Sequence, residues 1–299
     1  MTERSSAVRI GPVVFDNPVF LASGPAGYGL EYADLIDLTR LGAVVTKTIT
    51  LQPRPGNTGR RLWETRGGLL NSVGLENVGA EIFLTEKLPS LIDGDVRLIV
   101  SIAAEGWEEF RQLLEMVAAR PEIEAVEINL SCPNVERGGM EIGADPGRIE
   151  HYVKHAKDVL GERAVLAKLT PNVRDVARLA LAAEGAGADG ITAINTVVGM
   201  EMDAESGRPI FEMVRAGLSG PAILPIALVA VWKISRTVDI PIVGVGGISS
   251  IEDATKFFRA GASAIQIGTA IFYDHGLPER IIEAFEHSGI PKPFEKKDG

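Results

Sequence analysis

Short apolar runs, many of them rich in β-branched residues, recur along the chain at residues 19–22, 43–46, 98–102, 125–130, 164–169, 190–194, 241–245 and 264–267. Between them lie stretches with helical spacing of apolar positions, at 30–41, 107–119, 148–160, 176–183, 227–236, 251–260 and 278–288. Continuous apolar strands separated by helices indicate a parallel sheet buried on both faces, and eight of them predict closure into a (β/α)8 TIM barrel. Ser249, followed three residues later by Glu252, has the pattern of a capping box for the helix at 251.

Ahead of the first run, residues 8–10 and 13–15 flank Gly11-Pro12 and predict a β-hairpin, placed across the bottom of the barrel as a plug. Two long insertions, 49–77 and 135–146, follow the second and fourth strands. Both would emerge on the face where such barrels carry active sites. No linker divides the chain, so residues 1–299 are expected to form one domain.

Composition narrows the function classes. With 45% hydrophobic and 23% charged residues the chain has the makeup of a soluble globular protein. A net charge of −10 and the lack of a basic run argue against a nucleic-acid partner. A single cysteine excludes an internal disulfide and a four-cysteine iron–sulfur or zinc site within the chain, and it fits a reducing cytoplasm. Residues 1–9 carry no apolar signal core, and the uncharged run 216–232 contains Pro221 and Pro225, so it reads as a loop entering a buried helix.

That cysteine, Cys132, lies just past the fourth strand in Asn129-Leu-Ser-Cys132-Pro-Asn134. A lone thiol is commonly an inert core residue, but here Pro133 fixes the adjacent backbone and Asn129 and Asn134 bracket it with uncharged amides, which points to proton chemistry. The strands end at Ser23, Lys47, Ser101, Asn129, Lys168, Asn195, Gly246-Gly247 and Gly268-Thr269. Glycines after strands seven and eight, with Gly217-Leu-Ser-Gly220 before them, have the character of a phosphate cradle, although tight turns alone also use glycine. A phosphate site facing Lys168 fits flavin mononucleotide (FMN), because a lysine beside the pyrimidine edge of a flavin stabilises the anion formed on reduction.

Six segments, Asn71-Ser-Val-Gly-Leu75-Glu-Asn77, Asn129-Leu-Ser-Cys132-Pro-Asn134, Lys168-Leu-Thr-Pro171, Asn195-Thr196, Gly217-Leu-Ser-Gly-Pro221 and Gly244-Val-Gly-Gly-Ile248, closely resemble the class 1 dihydroorotate dehydrogenases. The resemblance runs from Asn17 to Phe272. It implies an FMN-containing (β/α)8 barrel that oxidises dihydroorotate to orotate in pyrimidine synthesis, with Cys132 as the general base at C5 while hydride passes from C6 to the flavin. It also implies that the loop 135–146, with Gly138-Gly139, closes over the substrate.

By the same resemblance Lys47, Asn71, Asn129, Asn134, Asn195 and Thr196, with the backbone of Val73, Gly74 and Leu75, hold the substrate. FMN is expected against Ser23, Lys47, Thr48, Ser101, Asn129, Lys168 and Ile194, with Gly220, Gly246, Gly247, Gly268 and Thr269 around its phosphate. No metal is expected. Cys-Pro-Asn-Val-Glu-Arg-Gly-Gly followed by Gly143-Ala-Asp-Pro146 is most similar to the class 1B catalytic subunit. That implies a homodimer and an electron-transfer subunit carrying FAD and a [2Fe–2S] cluster, with NAD as final acceptor. Ala216 and Leu224 depart from the glycine and lysine usual in that subclass.

Two alternatives remain open on the residues alone. One is an FMN-dependent enzyme acting on another dihydropyrimidine, against which Lys47 asks for a substrate carboxylate. The other is a Schiff-base aldolase with Lys168 as nucleophile.

Overall fold

The computed structural model describes residues 7–131, 133–134 and 140–294, with backbone alone at 133–134 and 140–142. Eight parallel strands close into a barrel in chain order. They are β1 (Val19–Leu21), β2 (Ala43–Val45), β3 (Leu98–Ile102), β4 (Ala125–Asn129), β5 (Ala164–Leu169), β6 (Gly190–Ala193), β7 (Ile242–Val245) and β8 (Ala264–Ile267). Each lies within, or coincides with, the apolar run that predicted it. β4 shows the logic: Val126 and Ile128 face the helices and join the core formed with Phe110 and Tyr152, while the alternate residues point inward.

The N-terminal hairpin, Val8–Ile10 paired with Val13–Phe15, turns at Gly11 with φ of 56°. Its Val8, Ile10, Val13 and Phe15 pack with Phe20, Val45, Ile99, Leu166 and Val243, so it closes the bottom of the barrel as expected. Phe15 and Phe20 are fully buried with ring centroids 5.0 Å apart. Burial of each such ring contributes roughly 1.5–3 kcal/mol.

The helices over Trp107–Ala118, Pro146–Leu160, Val176–Gly185, Leu224–Ile234, Ile251–Ala260 and Leu277–Ser288 follow the predicted periodicities, with some ends displaced by one to three residues. The run at 216–232 resolves into the strand Ala216–Ser219 and the start of the helix Leu224–Ile234. Residues 30–41 do not form one helix. Two short 3-10 turns, Leu30–Tyr32 and Leu38–Arg40, are separated because Asp37 is extended and its carboxylate accepts the Thr39 N–H, which favours a new start over continuation. The capping box is shifted by one residue. Ser250, not Ser249, accepts the N–H of Asp253, whose carboxylate in turn accepts from Ser249 N–H and Oγ.

Two features were not anticipated. A helix runs through Gly79–Ile82, Phe83–Lys87 and Leu88–Asp93, widening into a π turn just before Pro89, which has no N–H to donate. The insertion 49–77 is also partly ordered as sheet. Its strands Leu62–Thr65 and Gly68–Asn71 pair antiparallel, and Gly68–Asn71 also pairs with Ala216–Ser219, which pairs with Val197–Gly199. This four-stranded sheet stands beside the barrel mouth. Among the described residues no helix is long and apolar enough to cross a membrane.

Candidate active site

A cavity of about 760 Å³ opens at the C-terminal ends of the barrel strands. Volumes of roughly 300–1,000 Å³ are typical of sites for small ligands and cofactors. Seventeen predicted residues line it: Ser23, Lys47, Thr48, Asn71, Val73, Gly74, Leu75, Asn129, Lys168, Ile194, Asn195, Thr196, Gly220, Gly246, Gly247, Gly268 and Thr269. The ends of every barrel strand except β3 contribute, and Asn71, Val73, Gly74, Leu75 and Gly220 come from the insertion and the accessory sheet. The β3 residue Ser101 is fully buried rather than at the surface of the cavity. It bonds to Thr48 Oγ1 at 2.9 Å, and Thr48 to Ser23 Oγ at 3.1 Å, so Ser101 anchors a hydroxyl chain whose upper members face the cavity. Cys132 and Gly138-Gly139 lie outside the described residues, as does the side chain of Asn134.

The two lysines differ in setting. Burial pushes the Lys47 ammonium below its ordinary pKa, and nearby Glu76 only partly opposes this. A cation so placed favours an anionic ligand. Lys168, 6% exposed, is the penultimate residue of β5, with Nζ 3.4 Å from the carboxylate of Glu127, which is completely buried on β4.

The amides are held by local geometry. Asn129 Oδ1 accepts from Ser131 N–H and from Asn195 Nδ2, both at 3.2 Å, and Asn195 Oδ1 accepts from Thr196 N–H. Asn71, at the end of a strand of the accessory sheet, donates to Gly217 O at 3.0 Å. The segment 73–75 turns sharply, with φ of 75° at Gly74 and 55° at Leu75. Asn77 fixes that turn: its Oδ1 accepts from Thr50 and Gly79 N–H, and its Nδ2 donates to Leu75 O and Thr50 Oγ1. Above it, Tyr28 Oη accepts from Val78 N–H, and burial raises the phenol pKa.

At the glycine end, Gly247 has φ of 78°, and a Cβ there would lie 2.7 Å from Leu224 N and 2.9 Å from Gly220 O. Three chain segments meet at this position, and a side chain would force them apart. Ser219 joins them, accepting from Thr269 Oγ1 at 2.8 Å and donating to Leu69 O. Leu224 contributes its backbone to this junction but does not line the cavity, and Ala216 is buried within the accessory sheet.

Glu127, Ser219, Tyr28 and Asn77 were not singled out as site residues from sequence. A signal for Glu127 was present: a carboxylate in the middle of the apolar run Ala125-Val-Glu-Ile-Asn129, in phase with Asn129.

Comparison with known proteins accords with this geometry. The family description "Dihydroorotate dehydrogenase" matches residues 6–288. A relative from Caldicellulosiruptor saccharolyticus, named dihydroorotate dehydrogenase B (NAD(+)), catalytic subunit, is 48% identical over 290 residues, covering 97% of this chain and 94% of the relative. A subunit of the same name from Trichlorobacter lovleyi is 43% identical over 280 residues, covering 94% and 92%. A crystal structure of DHODH from Eimeria tenella in complex with ferulenol shares the fold, with TM-score 0.77 and 22% identity over 97% of this chain and 88% of that one. The chain belongs to the dihydroorotate dehydrogenases, a flavin-dependent family that oxidises dihydroorotate in pyrimidine biosynthesis, and its similarity is to the class 1B catalytic subunits.

Proposed function

We propose that this chain is a single FMN-binding barrel domain and the catalytic subunit of a cytoplasmic class 1B dihydroorotate dehydrogenase. The observation that carries the reading is the convergence of two lysines, a set of amide and hydroxyl side chains and a glycine junction on one cavity. The residues present fit FMN. At Gly220, Gly246 and Gly247 an added Cβ would come within 3 Å of neighbouring atoms, so these positions admit only backbone; with Gly268 and Thr269 beside them they suit a phosphate cradle, and Lys168 supplies a cation within the barrel mouth. Ser23, Thr48, Ile194 and Asn129 would flank the ring and ribityl chain, with Ser101 supporting Thr48 from below.

FMN held by these residues would supply the acceptor for the hydride from C6 of dihydroorotate. The protein does the rest. Lys47, a cation made costly by burial, would hold the substrate carboxylate, and Asn71, Asn129, Asn134, Asn195 and Thr196 would hold the pyrimidine edges, aided by the backbone of 73–75. Cys132, three residues beyond the end of β4, would take the C5 proton as thiolate, so that loss of one proton and one hydride leaves orotate. Exposed Val198, Met200, Met202, Met213 and Val214 near the accessory sheet support subunit association, as a homodimer that also engages an electron-transfer subunit with FAD and [2Fe–2S] and passes electrons to NAD.

The test is anaerobic addition of dihydroorotate to purified protein. The flavin absorbance is expected to bleach, with orotate formed in equal amount, and Cys132→Ala is expected to retain the flavin and lose most of the bleaching rate near neutral pH. Flavin-loaded protein that does not bleach would refute the activity. Bleaching at an unchanged rate in the variant would refute the thiol as base.

A further inference from the structure

Beneath the cavity lies a charged group that neither binding nor proton transfer uses. Glu127 is 0% exposed on the inner face of β4, one layer below Asn129. Its Oε2 accepts from Thr192 Oγ1 of β6 at 2.8 Å and from Gln266 Nε2 of β8 at 2.9 Å. Its Oε1 has no hydrogen-bond partner and lies 3.4 Å from Lys168 Nζ. One carboxylate oxygen is therefore fixed by two neutral donors from two other strands, and the second is left to the lysine alone.

Burying a carboxylate in the layer between an apolar plug and a ligand cavity is costly unless its cation stays with it. A structural ion pair would satisfy both oxygens. Here the second oxygen is held just beyond hydrogen-bond length from a lysine that also lines the cavity, so the ammonium is shared between the carboxylate below and whatever occupies the space above.

We propose that Glu127 is a positioning residue that sets the reduction potential of the bound flavin through Lys168. This rests on the reading that FMN occupies the cavity. A lysine beside the flavin favours the anionic reduced form and raises the potential, whereas a fixed negative charge behind that lysine cancels part of its field and draws the ammonium downward. Glu127 thus keeps the flavin harder to reduce than Lys168 alone would leave it.

The experiment is an anaerobic dye-equilibration titration of the flavin in the purified holoprotein and in Glu127→Gln, which keeps size and one acceptor oxygen for Thr192 and Gln266 but removes the charge. The potential is expected to rise, shifting the equilibrium toward reduced flavin about tenfold, or about 30 mV for a two-electron couple. Glu127→Asp retains the charge but withdraws it by one methylene, and a smaller shift of the same sign is expected. It also serves if Glu127→Gln does not fold. An unchanged or lower potential in a folded, flavin-loaded variant would overturn the proposal, because a purely structural role would alter flavin retention or stability without moving the potential. Wild-type protein that binds no FMN would instead refute the cofactor reading on which the proposal stands.

Discussion

Asn195 donates from Nδ2 to Oδ1 of Asn129 at 3.2 Å, joining the segment after β6 to the end of β4 across the intervening strand β5 that carries Lys168. Asn129 Oδ1 also accepts from Ser131 N–H, so the acceptor side of this amide is occupied by protein. Its amino group is what remains for a ligand.

Removing the partner should therefore disorder the amide rather than empty the site. Asn195→Ala is expected to lower kcat/KM for dihydroorotate by about 10- to 100-fold, the equivalent of one or two lost polar contacts, with flavin content unchanged. Steady-state kinetics at matched flavin loading measure this. An effect below twofold would mean that Asn195 neither binds substrate nor orients Asn129.

The pH dependence of ligand binding should follow Lys47. Burial lowers its folded pKa below 10.5, so the ligand-free folded state releases a proton before the unfolded chain does. Two consequences differ in sign. Folding stability of the ligand-free protein rises with pH from the folded pKa up to 10.5, because the penalty for a buried ammonium disappears there. Orotate affinity falls as pH rises through the same folded pKa, because the cation that pairs with the carboxylate is lost. Lys47→Met is expected to weaken orotate about 10- to 100-fold at neutral pH and to abolish that alkaline limb. Spectral titration of the flavin with orotate across the pH range tests both.

The barrel was legible because its strands are buried on both faces and its helices on one, so burial wrote two distinct periods into the chain. The strand-end residues Lys47, Asn129 and Lys168 followed from that phase, and the plug at Val8–Phe15 from two short runs either side of Gly11-Pro12. The accessory sheet did not. Leu62–Thr65 alternates only between exposed and half-buried positions, and the four strands of the sheet come from three separate parts of the chain, 62–71, 197–199 and 216–219, so no local pattern announces the whole sheet. Residues 30–41 misled for a related reason: Ile36, Leu38 and Leu41 are buried as a helix would bury them, but Asp37 breaks the backbone between them. Cys132 was found from its neighbours in sequence, whereas Glu127 lay inside a run treated as a continuous apolar strand and was not considered for a role of its own.

At the glycine junction, Gly247→Ala should act through the backbone. The new Cβ would sit within 3 Å of Leu224 N and Gly220 O, neither of which is a flexible side-chain end, and φ of 78° is unfavourable for alanine. The expected result is loss of most bound flavin on gel filtration and a cost of about 1–3 kcal/mol in urea unfolding. Gly161→Ala, away from the cavity, is the control. Its φ of 61° is also positive, but nothing lies within 4 Å of the added methyl, so a strain penalty without collapse of the junction is expected. Equal flavin loss in both variants would remove the special role of Gly247.

Asp253 offers a test of stability separate from catalysis, at the start of the helix Ile251–Ala260 that follows β7. Burial alone would raise its pKa, but hydrogen bonds from Ser249, Ser250 and Lys256 outweigh this and the net shift is downward from 3.8. A carboxylate with a lowered folded pKa contributes stability that is fully present above 3.8 and is lost as pH falls through the folded value. Asp253→Ala is therefore expected to cost about 1–2 kcal/mol near neutral pH, by removing the acceptor for Ser249 N–H and Oγ. The gap between wild type and variant should narrow in acid, once both chains lack the charge. Urea unfolding midpoints compared on the two sides of 3.8 measure it, and a gap that stays constant across that range would show that the contribution of Asp253 does not depend on its ionisation.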